Sequence, residues 1–362
     1  MSCAASPKGD LMPRVSLQNQ WFSGLLASLM AVVLSGCGPS SESVQPSENV
    51  SKTVSPEVGI GNDLKPKIAV ELALNWFPEA EHGGFYAALV HGYFESEGLD
   101  VTITPGGPNV PVIQNVATGR VQFAIANADQ VLVGRARDAD VVAVLAPLQT
   151  SPRCIMVHEK SGIRSFADLK NIKLAINSNS TFALFLMKNV PLEGCTIVAY
   201  PGNVAQFLLE DAFAQQAYVF SEPFVAKQQG GDPSNLLVAD IGFNPYTSVL
   251  IASGETIQKQ PALVQKIVLA SRRGWVTYLS DPASTNKLIH EKNPEMGLDV
   301  LEFGVGELKK LCYSESVTEA NFGHMTAERW AKLSEQLVSC EVYEASQAKS
   351  TEAFTTQFLT SP

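Results

Sequence analysis

The feature that most limits what this chain can fold into is a regular alternation beginning at Lys67. Lys67–Leu74 (KIAVELAL) alternates as a strand does, and Gly84–His91 carries apolar residues at helical spacing. Strand Leu99–Thr104, helix Val110–Thr118, strand Gln122–Ala126, helix Asp129–Arg137 and strand Val141–Leu148 follow. Apolar strands separated by helices of about ten residues predict βαβ units and a mostly parallel sheet. Arg153–His158 then comes directly after a strand, near Pro147 and Pro152, and predicts a crossing between lobes. A second series runs through strand Ile172–Ile176, helix Thr181–Asn189, strand Thr196–Tyr200, helix Val204–Ala214 and strand Ala217–Phe220. Leu236–Ala239 and Thr247–Ala252, flanking Asn244-Pro245, again place two strands in succession and predict the return crossing. After Gly254 the pattern is mainly helical, with Pro261–Leu279 opening on a first-turn Pro and another helix starting at Asp281-Pro282. The expected architecture is α/β, two lobes joined by two crossing strands. Residues 66–150 and 247–362 make the first lobe and 151–246 the second. The expected ligand cleft lies between them, at the carboxyl ends of the strands.

Upstream of this region the chain reads differently. Trp21–Leu34 (WFSGLLASLMAVVL) is an uncharged apolar run of 14 residues. That is shorter than the roughly 20 residues of a spanning helix, but suits a signal-peptide core behind Lys8 and Arg14. Leu34-Ser35-Gly36-Cys37 closes it and resembles the bacterial lipoprotein signal, in which cleavage leaves a cysteine whose thiol is diacylglycerated. Residues 1–36 are therefore expected to be removed and Cys37 to carry the lipid; an ordinary signal peptide with an incidental cysteine, or a buried helix, is the alternative. Residues 38–65 hold 12 Ser, Pro or Gly among 28 and no aromatic residue, a composition expected of a flexible spacer.

The net charge of −10 over 362 residues argues against nucleic acid, since phosphate binding needs clustered Lys and Arg. The six cysteines lack CxxC spacing, and no Walker A, GxSxG or HExxH motif occurs. His82 and His91, nine apart, do not form a helical metal pair. No cofactor is expected, and no catalytic residue. Cys312 and Cys340, or Cys154 and Cys195, are left open as disulfides.

Candidate binding residues fall at strand-to-helix junctions. Trp76, beside Asn75 and before Pro78, offers a flat face for stacking with a flanking amide for hydrogen bonds; a hydrophobic plug is the alternative. His82 either faces the cleft or caps the helix behind it. Glu79 and Glu81 read as solvated turn charges, with an ion site shared with His82 as the minor alternative. Asn127 and Asp129 face the cleft or serve as N-caps. Ser178, Asn179, Ser180 and Thr181 precede a helix whose free N–H groups suit a polar or anionic ligand atom. Tyr200 flanks the next junction, Glu222 reaches the cleft from the second lobe or favours a helix dipole, and Tyr246 lines the hinge.

Asn75-Trp76-Phe77-Pro78-Glu79-Ala80-Glu81-His82-Gly83-Gly84-Phe85-Tyr86, then Gly92-Tyr93-Phe94-Glu95 and Glu97-Gly98-Leu99-Asp100-Val101, resemble a known family. It is that of ABC-transporter periplasmic substrate-binding proteins, in the branch of nitrate, sulfonate, taurine and thiamine-pyrimidine-precursor binders. Asp129-Gln130, Ile163–Lys170 and Ser221-Glu222-Pro223-Phe224 continue the similarity over roughly residues 68–280. Where that family often carries a Gly-rich run, this chain has Asn177-Ser178-Asn179-Ser180-Thr181. The resemblance implies a type II periplasmic-binding-protein fold, a small-molecule ligand, an ABC permease with its ATPase as partner, and an exported monomer held at a membrane by its lipid. Trp76, His82, Asp129 and Glu222, with only Arg153 as a nearby cation, favour a flat, amine-bearing heterocycle such as an aminopyrimidine. An aliphatic sulfonate, taurine, nitrate or riboflavin is the alternative. Eukaryotic relatives that make the thiamine pyrimidine resemble this fold but look to rely on a dense cysteine motif, which this chain lacks.

Overall fold

The computed structural model describes residues 66–360, so Cys37, the apolar run and the spacer lie outside the described residues. The chain first runs β1 (Ile68–Ala73), α1 (Gly83–Val90), α2 (Tyr93–Ser96), β2 (Leu99–Thr104), α3 (Val112–Ala117), β3 (Phe123–Ala126), α4 (Ala128–Ala136) and β4 (Val142–Leu145). It continues with β5 (Arg153–His158), β6 (Lys173–Ala175), α5 (Thr181–Asn189), β7 (Thr196–Val198), α6 (Ala205–Leu209), β8 (Phe213–Tyr218), α7 (Glu222–Gln228) and β9 (Pro233–Leu237). It ends with β10 (Val249–Ala252), α8 (Gly254–Lys259), α9 (Pro261–Ser280), α10 (Ala283–Lys292), α11 (Leu298–Cys312) and α12 (Ala327–Ser339).

The strands form two five-stranded sheets, ordered β2-β1-β3-β10-β4 and β7-β6-β8-β5-β9. Each is mixed rather than mostly parallel: three parallel strands, then one antiparallel strand, then an outer strand. In both sheets the antiparallel member is the strand that has just crossed over, β10 in the first and β5 in the second. The two crossing segments meet at an antiparallel bridge, Leu148 with Thr247, and the Ser151 N–H donates to the Asn244 side chain at 2.8 Å. β3 (FAIA) and β10 (VLIA) are buried at every position, as central strands covered on both faces must be.

One expected element is displaced. Val204–Ala214 reads as a helix, but α6 stops at Leu209 and Phe213–Tyr218 forms β8, between β6 and β5. The two glutamines of FAQQAY conceal the strand. Both are buried; Gln216 accepts the Asn177 N–H at 2.7 Å, and pairing on both edges overrides helix propensity.

Helices α1 and α9 meet through glycines. A Cβ on Gly84 would fall 2.0 Å from the Trp275 ring, and one on Gly274 would fall 2.2 Å from the Gly84 carbonyl oxygen. Only bare backbone permits that approach, and it fixes the start of α1 against the long C-terminal helix. The four cysteines in the described residues are all free, so neither disulfide forms. No described helix is long and apolar enough to cross a membrane.

Candidate functional site

The turn after β1 is held by Gly106, whose N–H donates to the Trp76 carbonyl at 3.0 Å; a Cβ there would lie 2.2 Å from the Leu74 oxygen. Trp76 is 39% exposed, in edge contact with Phe77. Glu79, Glu81 and His82, by contrast, are buried, which corrects the reading of the two glutamates as solvated charges. They fold inward because the short turn Ala80–His82 leads straight into α1, whose first residues face α9.

The His82 Nε2–H donates to Asn75 Oδ1 at 3.0 Å, while Nδ1 accepts the Glu79 N–H at 3.4 Å. These partners set one neutral tautomer, and burial pushes the ring down to about 3. Burial likewise pushes Glu81 up to about 7, opposed by the Ser248 hydroxyl, which donates to its Oε2 at 3.2 Å. Glu79 is held well above the usual carboxylate range by burial and by repulsion from Glu81 and Glu222, against the pull of Arg153.

From this pocket a polar chain runs to the second sheet. Asn127, at the end of β3, accepts the Ser248 N–H at 3.2 Å and donates to the Tyr218 hydroxyl at 3.5 Å. Arg153 also donates to that hydroxyl, at 3.0 Å. The Tyr218 N–H donates to Glu222 Oε2 at 2.9 Å, and the Tyr200 hydroxyl to Glu222 Oε1 at 2.8 Å. Asn75, His82, Glu81, Ser248, Asn127, Tyr218, Glu222 and Tyr200 are thus linked in sequence, with Glu81 Oε1 3.5 Å from His82 Nε2. A second link lies beside it: the Thr181 hydroxyl, on the first residue of α5, donates to Asp129 Oδ2 on the first turn of α4. Burial raises Asp129, and that hydrogen bond opposes the rise.

Asn75, His82, Asn127, Asp129, Thr181, Tyr200 and Glu222 therefore gather at one junction, with Trp76 beside it. Ser178 and Asn179 are exposed, and the Ser180 hydroxyl is turned back to the Asn177 carbonyl at 2.6 Å. Tyr246 is buried away from this chain, its hydroxyl accepting the Thr326 N–H at 3.1 Å and its ring beneath Arg329. Sequence reasoning passed over Ser248 and Tyr218, and named Arg153 only as a nearby cation. Tyr218 ends β8 and would have stood out had that strand been placed correctly. Ser248 and Arg153 stand at the amino ends of the two antiparallel strands, which the rule of carboxyl ends does not reach. Register puts them there: Val249 pairs with Ala126, and Arg153 with Tyr218.

The chain is 24% identical over 282 residues to the formylaminopyrimidine-binding protein of Halalkalibacterium halodurans, covering 73% of this chain and 83% of that one. It is 24% identical over 311 residues to the riboflavin-binding protein RibY of Chloroflexus aurantiacus, covering 80% and 86%. A protein of Saccharomyces cerevisiae named as 4-amino-5-hydroxymethyl-2-methylpyrimidine phosphate synthase is 26% identical over 252 residues, covering 64% and 73%. Among solved structures, the periplasmic aliphatic sulphonate binding protein SsuA of Escherichia coli superposes with a TM-score of 0.62 at 15% identity, covering 80% of this chain and 92% of that one. At that identity the likeness is one of fold, and the fold is that of the periplasmic binding proteins. The family model described as "NMT1/THI5 like" matches residues 79–285, more than half of the chain and both sides of the polar junction, and the protein belongs to that family.

Proposed function

We propose that this protein is the substrate-binding component of an ABC importer, capturing a small, flat, amine-bearing heterocycle of the aminopyrimidine class. The observation that carries the ligand class is the acid-rich lining of the junction beside exposed Trp76. Glu79, Glu81, Asp129 and Glu222 share one nearby guanidinium, that of Arg153. A carboxylate accepts from an exocyclic amine, and a carboxyl kept protonated by burial donates to a ring nitrogen. A sulfonate or nitrate would find a single cation there, among acids that suit an amine and a ring nitrogen better. Two relatives are named as binders of flat nitrogen heterocycles, which supports the same class.

Binding works by closure of the lobes, 66–150 with 247–362 on one side and 151–246 on the other. The ligand, held by the first lobe, recruits the second about the crossing segments, and the permease with its ATPase reads the closed form. The protein acts as an exported monomer without a cofactor, tethered to its membrane by a diacylglyceryl group on Cys37 and a spacer to residue 65. Mass spectrometry of the N-terminal peptide is expected to show the lipid on Cys37, and Cys37→Ser to release the protein from membranes.

Calorimetric titration tests the ligand class. An aminopyrimidine is expected to bind more tightly than taurine, an alkanesulfonate or nitrate; tight sulfonate binding with none for the pyrimidine overturns the reading. Riboflavin binding in place of the aminopyrimidine would keep the role and change the ligand. Turnover of the pyrimidine by purified protein would overturn the transport role. Trp76→Ala is expected to weaken binding roughly tenfold or more through lost stacking. Thr181→Val removes the donor to Asp129 that joins the two sides. It is expected to weaken binding about three- to tenfold, with less compaction in small-angle scattering at saturating ligand.

A further inference from the structure

Helix α11 belongs by sequence to the first of the two lobes set out above and packs on α9 and α10, yet it also lies along the second. Its last turn is anchored at the crossing, where the Leu311 carbonyl accepts the Gln149 N–H at 2.7 Å and the Thr150 N–H at 2.9 Å. Its first turn reaches the far end of α7, where the Gln228 side chain donates to Asp299. Between these ends the Phe303 ring stacks on Phe224 of α7, with centroids 4.7 Å apart and planes 24° from parallel. Both rings are half-buried, so the pair sits at the edge of the boundary between lobes rather than inside either core.

Gly304, next to Phe303, brings the helix backbone up to the junction itself. A Cβ there would lie 2.9 Å from the Ala80 Cβ and 3.2 Å from the Phe220 carbonyl oxygen. Ala80 stands between Glu79 and Glu81, and Phe220 is two residues before Glu222. One turn of α11 therefore touches the chain neighbours of acids contributed by both lobes. Rotation about the crossing segments moves the second lobe least beside Leu311 and most beside Gln228. At about 1.5 Å per residue Phe303 stands about 12 Å from the anchored end, far enough for a modest rotation to separate the rings. Separation exposes two aromatic faces to water, so the stacking stabilises the closed form alone. Helix α11 also lies beyond residue 285, where the match to the family model ends, so this contact is not carried by that match.

We propose that Phe303 is a positioning residue for ligand capture: by stacking on Phe224 it latches the second lobe, and Glu222 with it, into the closed arrangement. The inference rests on the closure reading above and adds what holds the closed form together. Phe303 acts through Phe224 rather than on the ligand. It raises the fraction of molecules in the binding-competent state, and apparent affinity scales with that fraction.

Hydrogen exchange of the full-length protein without ligand, read by mass spectrometry, tests the latch directly. Phe303→Ala is expected to speed exchange about threefold or more in α7 and across Tyr218–Glu222, while α9 and the first sheet keep their wild-type rates. Phe303→Tyr keeps the stacked ring and is expected to restore the wild-type pattern. Calorimetric titration with 4-amino-5-hydroxymethyl-2-methylpyrimidine as the probe is expected to show Phe303→Ala binding about three- to tenfold more weakly at unchanged stoichiometry, the scale of one aromatic pair. Phe224→Ala removes the same contact from the other lobe and carries the test should Phe303→Ala fail to fold. The double variant is expected to be no weaker than the weaker single, because either change abolishes the stack. Faster exchange confined to α11, or single losses that add in the double variant, overturns the inference and leaves the functional reading standing. Failure of the wild type to bind the probe overturns the ligand reading, and the exchange comparison alone then decides the latch.

Discussion

Gly84→Ala is expected to cost at least about 3 kcal/mol of stability, a larger loss than ordinary overpacking of a core. The added Cβ would lie 2.0–2.3 Å from three atoms of the Trp275 ring, well inside contact distance. The indole has nowhere to retreat. It is fully buried, meets Phe85 edge-on at 5.8 Å and Tyr278 at 6.2 Å, and stacks against Phe322. Helix α1 cannot back away either, because its Gly84 carbonyl sits directly against Gly274 of α9. For a domain of this size a loss of that order lowers the melting temperature by roughly 5 °C. Ligand affinity is expected to fall with it, since α1 continues directly from the turn carrying Glu79, Glu81 and His82. Gly306→Ala is the control: it lies within α11 with nothing within 4 Å of the added Cβ. It is expected to leave the melting temperature unchanged or raise it slightly, as replacing a helical glycine does. Equal melting temperatures for Gly84→Ala and wild type would show that the α1–α9 contact is not rigid.

Glu81→Gln is expected to stabilise the protein above pH 7 and to leave it nearly unchanged at pH 4.5. The folded Glu81 titrates at about 7 against 4.5 for a free glutamate, chiefly because burial penalises its charge. Between those values the native state binds a proton that the unfolded state has released. Its contribution to stability is therefore full below 4.5 and is lost as pH rises to 7. The difference between the two values corresponds to about 3 kcal/mol. Glutamine keeps an acceptor for Ser248 and never ionises, so the variant escapes the loss.

His82 runs the other way. Its folded value of about 3 lies below its free value of 6.5, so its contribution is present above 6.5 and disappears as pH falls toward 3. From 4.5 to 6.5 the His82 slope opposes that of Glu81, while Glu79, also held up by burial, adds to the fall, so the wild-type profile is expected to decline gently there. His82→Gln removes the opposing slope and steepens that decline. Denaturant unfolding across pH 4–8 checks both variants; a Glu81→Gln difference that does not change with pH would contradict the assignment.

Much of the architecture was legible along the chain. Period-two and helical apolar spacing marked β2, β5 and α5 at their observed limits, because neighbouring residues suffice to express those patterns. The α/β class followed from the order of elements. β8 was not legible, because its two glutamines look helical until β6 and β5 claim their backbone groups. Ser178 and Asn179 shared a promising junction with Thr181, yet they are exposed while Thr181 reaches Asp129 across the junction.

The sequence by itself determined the α/β class, the limits of β2, β5 and α5, and the family, since these rest on local spacing and motif order. Tertiary structure alone decided that Glu79 and Glu81 are buried, because packing of α1 on α9 turns the glutamates inward, away from the water their composition suggests. It alone decided that Ser248 belongs to the junction and that Arg153 meets the Tyr218 hydroxyl there. Each antiparallel strand inserts beside a parallel one, bringing its amino end level with its neighbour's carboxyl end. Residues 121 positions apart, such as Asn127 and Ser248, then share a hydrogen bond that no local pattern encodes.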